Sequence, residues 1–190
     1  MKQDIILAGV GGQGILSIAY VIDNAALSQS LKMKQAEVHG MAQRGGAVQS
    51  HLRISDRAIF SDLIPKGEAD LILSVEPLEA LRYADYLHPN GVVVTSSAPM
   101  VNIPDYPPIE DVIARLRQLK RSVVVDSAAL AQQAGSARAQ NIVMLGAASG
   151  FLVLGEADLK HSITELFARH GESVVAANLK AFDLGRAAAR

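Results

Sequence analysis

The polarity pattern alternates short aliphatic runs with longer segments of helical period. Asp4–Gly9 is an aliphatic run of the length expected of a strand buried on both faces. Gly14 then opens a segment in which Ile15, Ile18, Ala19, Ile22, Ala25 and Ala26 fall on one helical face. Met33–Val38 reads as a second strand. Ala47–Ile54 reads as a third, with Val48, Ser50, Leu52 and Ile54 on one side and Gln49, His51 and Arg53 on the other. Asp70–Val75 is another aliphatic strand. It runs into Glu76-Pro77-Leu78-Glu79, where a proline and two acids suit the first turn of a helix. That helix is expected to reach Leu87 and to stop near Pro89-Asn90-Gly91.

Gly91–Ser97 is the next strand, and Met100–Pro108, rich in proline, is an ordered excursion. Ile109–Leu119 is helical, with Glu110 and Asp111 at its start and Arg115, Arg117 and Lys120 toward its end, the arrangement that complements a helix dipole. Ser122–Asp126 is a strand. Helices are expected over Ser127–Ala134, Ala139–Leu154, Leu159–Arg169 and from Glu172 to about Arg186. The sum is a Rossmann-like α/β fold: an open, mainly parallel sheet covered by helices, in a single domain over residues 1–190.

Composition narrows the chemistry. Cysteine is absent, which removes disulfides, thiolate metal sites and cysteine-ligated iron–sulfur clusters from this chain. The five histidines, at 39, 51, 88, 161 and 170, form no i,i+4 pair, so no metal site is expected. A net charge of -1 offers no field for nucleic acid or an anionic membrane, and no apolar run is long enough to span one. A cytoplasmic protein is expected. Glu76 and Glu79 lie one turn apart and read as helix-start acids; no residue stands out as catalytic.

Two loops carry the candidate chemistry. Gly9-Val10-Gly11-Gly12-Gln13-Gly14 fits G-x-G-x-x-G between a strand and a helix. Glycines there permit either a tight turn alone or a close approach of a ligand to the backbone and the positive helix end. A dinucleotide site also needs an acid closing the second strand, and Glu37 stands there. It opens the second loop, Glu37-Val38-His39-Gly40-Met41-Ala42-Gln43-Arg44-Gly45-Gly46. Arg44 can fork onto a phosphate or carboxylate or pair with a local acid, and His39 can carry a proton or cap a turn. Both loops are expected at the ends of neighbouring strands, in one crevice at the carboxyl edge of the sheet. His51 and Arg53 on a covered face need partners, either inside the chain or in another subunit.

GVGGQG followed by EVHGMAQRGGAVQSHLRI resembles the gamma-type domain shared by the pyruvate/2-oxoacid:ferredoxin oxidoreductases. The resemblance continues through Gly67–Leu73, Glu76–Arg82, Tyr106-Pro107-Pro108-Ile109, Asn141 with Leu145-Gly146-Ala147, and Asn178 with Ala181-Phe182 and Gly185. It covers nearly the whole chain. It implies a subunit that works inside a complex which decarboxylates a 2-oxoacid, reduces ferredoxin and transfers the acyl group to coenzyme A. The length and the YPPI segment tilt it toward the indolepyruvate branch, acting on aryl pyruvates, over the 2-oxoglutarate and 2-oxoisovalerate branches. In the family, thiamine diphosphate and iron–sulfur clusters belong to a large alpha subunit. This chain agrees, lacking both cysteine and a GDG thiamine segment. It implies as partners that alpha subunit and, through the complex, ferredoxin. Gly9, Gly11, Gly12, Gln13, Gly14 and Arg44 are candidates for contact with coenzyme A or with the partner subunit. Glu37, His39, Gly40, Gln43, Gly45, Gly46, His51 and Arg53 are loop or partner candidates. An independent NAD(P)- or flavin-binding oxidoreductase using the Gly9–Gly14 turn is the alternative.

Overall fold

A computed structural model describes residues 1–39 and 45–189. Six strands form one sheet: β1 (Lys2–Val10), β2 (Lys32–His39), β3 (Ala47–Ser55), β4 (Ala69–Ser74), β5 (Leu87–Ser96) and β6 (Ser122–Val125), in the order β2-β3-β1-β4-β5-β6. β1 pairs in parallel with β4, β4 with β5, and β5 with β6. β3 runs antiparallel to both β1 and β2. The sheet is therefore mixed but mostly parallel. β2 is not the neighbour of β1; β3 turns back from it and lies between them.

The helices are α1 (Ile15–Ser28), α2 (Pro77–Arg82), α3 (Ile109–Arg117), α4 (Ser127–Gln133), α5 (Gln140–Ala148), α6 (Glu156–Phe167) and α7 (Glu172–Ala188). Alternation along β1 sorts them. Ile5 and Leu7 face the larger core, filled by α1 and α4 to α7; Ile6 faces the smaller one, with α2 and α3. Burial of these aliphatic side chains from both faces is the main driving force for the fold. α5 and α7 cross closely because a Cβ at Gly146 would overlap the Phe182 carbonyl and one at Gly185 the Val143 carbonyl.

Three expected boundaries moved. α2 ends at Arg82, and Pro89 lies inside β5, where the pairing slips between Ala69 and Leu71 and residues 89–90 are exposed. A proline is tolerated there because the ladder is already irregular. α5 stops at Ala148, where the Ser149 hydroxyl donates to the Gly146 carbonyl at 2.6 Å and competes with the helix. α6 starts earlier than expected, with Glu156 and Asp158 in its first turn.

Candidate functional site

β1 hands the chain to α1 on one face, and β4 hands it to α2 on the other. The carboxyl ends of these adjacent parallel strands are a topological switch point, where open α/β sheets leave a crevice. The glycine turn lies there. Gln13 closes it, its side-chain Oε1 accepting from the Val10 N–H at 2.8 Å while its own N–H donates to the Val10 carbonyl at 3.1 Å. Gly12 and Gly14 have φ of +102° and +80°, values that L side chains rarely adopt. At Gly14 a Cβ would also press on Asn141 Nδ2 at 2.5 Å. The buried Asn141 amide donates to the Gly14 carbonyl at 3.2 Å and so fixes α5 to the turn. The N–H groups of Gly12 and Gly14 have no acceptor among the described residues. They and the amino end of α1 face a crevice with partial positive charge.

The second loop meets the first through the backbone. The Gly11 N–H donates to the Gly46 carbonyl at 2.8 Å, and the Gly45 N–H to the Gly11 carbonyl at 3.4 Å. Asn102, on the excursion after β5, donates to the Gly45 carbonyl at 2.8 Å. The base of that excursion is held by the buried Glu76, which accepts from the Tyr106 hydroxyl and from the Met100 N–H, while its other oxygen caps α2 at the Glu79 N–H. Burial and the Glu76 carboxylate push the Tyr106 phenol well above its ordinary range, so it stays a donor. Glu76 is thus a helix cap and an anchor for the YPPI segment. Glu79 pairs with Arg82, and burial, partly opposed by that arginine, raises its carboxyl.

Two clefts open around the turn. One, of about 490 Å³, is lined by Gly12, Gly14, Ser17, Arg138, Asn141 and Asn178 among others; the second, of about 620 Å³, shares Gly12, Gln13 and Arg138 and adds Val75, Met100 and Gln140. Arg138 stands between them on the short turn before α5, exposed, with no ion-pair partner among the described residues. Sequence reasoning missed it. A lone arginine in an Ala-rich stretch reads as the edge of a helix, and only the α5 docking on Gly14 brings it to the crevice.

The remaining candidates are placed as follows. Gly40, Gln43, Arg44 and the side chain of His39 lie outside the described residues. Glu37 is half-buried on the edge strand β2, opposite Ser50, two strands from β1. The strand beside β1 at this end is antiparallel β3, so no acid occupies the position from which a dinucleotide fold grips the ribose. His51 and Arg53 sit apart from the crevice and are partnered inside the chain. Arg53 forks onto buried Asp4 at 2.8 and 3.0 Å and donates to the Ser61 and Leu63 carbonyls. His51 Nδ1 accepts from the Ile64 N–H at 3.0 Å. Burial is the main reason its pKa is lowered. No group of His, Cys, Asp and Glu among the described residues can hold a metal, and no described helix is long and apolar enough to cross a membrane.

Fold and crevice define a class: an α/β sheet covered on both faces, with a glycine turn at its switch point. The chain belongs to the pyruvate ferredoxin/flavodoxin oxidoreductase family, whose model matches residues 4–188. It is similar to the indolepyruvate oxidoreductase subunit IorB of Archaeoglobus fulgidus, 36% identical over 97% of this chain and 94% of that one. It is also similar to the ketoisovalerate oxidoreductase subunit VorA of Methanothermobacter thermautotrophicus, at 27% identity over 97% of this chain but only 36% of the relative. Among solved structures, the 2-oxoglutarate:ferredoxin oxidoreductase of Magnetococcus marinus, with 2-oxoglutarate, coenzyme A and succinyl-CoA bound, superposes with a TM-score of 0.79 at 24% identity, over 99% of this chain and 31% of that one. The protein is therefore a small subunit of a 2-oxoacid:ferredoxin oxidoreductase, and partner subunits are implied.

Proposed function

We propose that the complex oxidatively decarboxylates aryl pyruvates such as indolepyruvate. The 2-oxoacid loses carbon dioxide, two electrons pass to ferredoxin, and the acyl group is bonded to the sulfur of coenzyme A. Thiamine diphosphate and the iron–sulfur clusters reside on a large alpha subunit, and the complex works in the cytoplasm. The observation that carries this reading is the 36% identity, over nearly full length, to an indolepyruvate oxidoreductase subunit. The absence of cysteine from this chain supports placing the clusters elsewhere.

This chain's own part is to lend the crevice to coenzyme A. The residues fit an anion-bearing ligand: N–H groups of Gly12 and Gly14 that have no acceptor among the described residues, the amino end of α1, and Arg138 between the two clefts. Arg44, outside the described residues, joins this proposal from its place in the second loop. The independent dinucleotide reading loses support because no acid occupies the ribose position.

The test is made on the reconstituted two-subunit complex. Ferredoxin reduction with indolepyruvate is expected only when both chains are present, and robust turnover by this chain alone would refute the assignment. Calorimetric titration with coenzyme A should show Arg138→Ala weakening binding roughly ten-fold, the scale of one lost charge-assisted hydrogen bond. Unchanged affinity in both Arg138→Ala and Gly12→Val complexes would remove coenzyme A from the crevice.

A further inference from the structure

α1 is apolar on the side where a surface helix is normally charged. Its buried face packs Ile15, Ile18, Ile22 and Ala26 into the core. Its outer face carries Leu16, Tyr20 and Leu27, which are 54%, 44% and 58% exposed. Asp23 completes the row. At 100° per residue these four side chains fall within an arc of about 60° and run about 16 Å along the helix. Asp23 is also the only ionisable acid or base between Ile15 and Ser28 apart from the Tyr20 phenol. By contrast α3 and α6, helices of similar or shorter length, carry Glu110, Asp111, Arg115 and Arg117, and Glu156, Asp158, Lys160 and Glu165.

Asp23 adds a second observation. Its Oδ1 is sealed from solvent and has no hydrogen-bond partner among the described residues. A sheltered carboxylate oxygen without a donor is unfavourable, and because Oδ1 is already sealed, a donor from outside reaches this carboxyl at its other oxygen.

We propose that the Leu16–Tyr20–Asp23–Leu27 face of α1 docks the large subunit of the complex, which covers the three apolar side chains and donates a hydrogen bond to Asp23. The proposal rests on the reading that such a subunit exists. The occupant is argued from two facts. In the VorA and Magnetococcus marinus relatives the matching region is 36% and 31% of a longer chain, so the same domain occurs joined to a larger body of polypeptide. A second copy of this chain is the competing occupant, but a two-fold contact along this row brings Asp23 close to its own symmetry mate and sets like carboxyl groups against each other. The row begins one residue into α1, beside the glycine turn, and exposed Met100 and Val101 rise from the same carboxyl edge. Docking here therefore places the larger subunit against the mouth of the crevice.

The experiment is hydroxyl-radical footprinting of this chain, free and in the two-subunit complex, with co-purification of a Tyr20→Glu/Leu27→Glu variant. Oxidation of Leu16, Tyr20 and Leu27 should fall at least five-fold in the complex, while exposed Phe60, remote on the segment after β3, keeps its rate. The variant should melt as the wild-type chain does yet lose at least ten-fold in association. Should the variant fold poorly, the footprint of the wild-type complex decides alone. A stable wild-type complex in which the three side chains stay reactive overturns the docking face and leaves the functional reading intact. Failure of the wild-type chain to associate with any large subunit overturns the functional reading first. Protection of the same side chains in a homodimer of the isolated chain assigns the face to a second copy and overturns the proposal.

Discussion

His51 and Arg53 on β3 and Asp23 on α1 are sheltered polar groups in strongly apolar surroundings. On β3 the fold has supplied a partner for each one: Asp4 and two carbonyls for Arg53, the Ile64 N–H and the Gln49 amide for His51, with the Tyr86 ring edge-on to the imidazole. On α1 the fold leaves one carboxylate oxygen without a donor among the described residues. The difference follows from what covers each place. The segment between β3 and β4 folds back over the β3 side chains and brings Ser61, Leu63 and Ile64 with it. On the outer row of α1, Leu16, Tyr20 and Leu27 stay exposed, while Asp23 between them is sheltered without gaining a donor. A polar group completed internally secures the monomer, and one sheltered without a donor weakens it.

Removing Arg53 should break the closed network most severely. Asp4 is fully buried, and Arg53→Ala leaves its carboxylate with the exposed Lys2 as its one ion-pair partner among the described residues. Breaking a buried pair from one side destabilises by about 3–5 kcal/mol. Urea denaturation of the isolated chain should show that loss, and a change under about 1 kcal/mol would mean that the pair is effectively solvated.

At Asp23 the expected effect has the opposite sign and is smaller. Burial raises its pKa to about 7 from the ordinary carboxyl value of 3.8. A folded-state pKa raised in this way means that stability is fully present below the unfolded value and is lost as pH climbs through about 7. Asp23→Asn should therefore stabilise the isolated chain at pH 8 by about 1–2 kcal/mol, after allowing for partial solvent access, and the gain should shrink near pH 4.5. Equal gains at both pH values would show that charge is not the cause.

These two places also show how far the sequence could be read. The aliphatic runs marked β1 and β4 because strands buried on both sides need no alternation, the short run at β6 marked a strand that lies at one edge of the sheet, and the alternating Val48–Ile54 marked β3 and singled out His51 and Arg53. What they bond to was not legible, since Asp4 and Ile64 are distant in sequence and meet them only through sheet pairing and the returning segment. The buried face of α1 was legible from its period. Its exposed row was not, because leucine and tyrosine are ordinary in a helix until the fold shows that nothing covers them. The glycine turn was legible locally. Arg138 was not, because its relation to Gly12 depends on Asn141 fastening α5 to the turn.

The smallest effect sharpens the closed side of the comparison. His51 Nδ1 accepts the Ile64 N–H, so the ring proton is on Nε2, and Gln49 must turn its amide oxygen toward it. That arrangement holds only for a neutral ring, since an imidazolium has no acceptor for Ile64. Burial lowers the pKa, the Asp62 carboxylate opposes this, and Arg53 adds to it. With the folded value depressed, stability is present above the ordinary imidazole range and is lost as pH falls through it, because the unfolded chain takes up the proton first. His51→Asn keeps an oxygen acceptor for the Ile64 N–H and removes the titration. From pH 8 to pH 5 the wild-type chain should therefore lose more stability than this variant, as measured by paired urea melts. Parallel losses would mean that the imidazole gains its proton without giving up the Ile64 bond, and that the network on β3 is looser than its geometry implies.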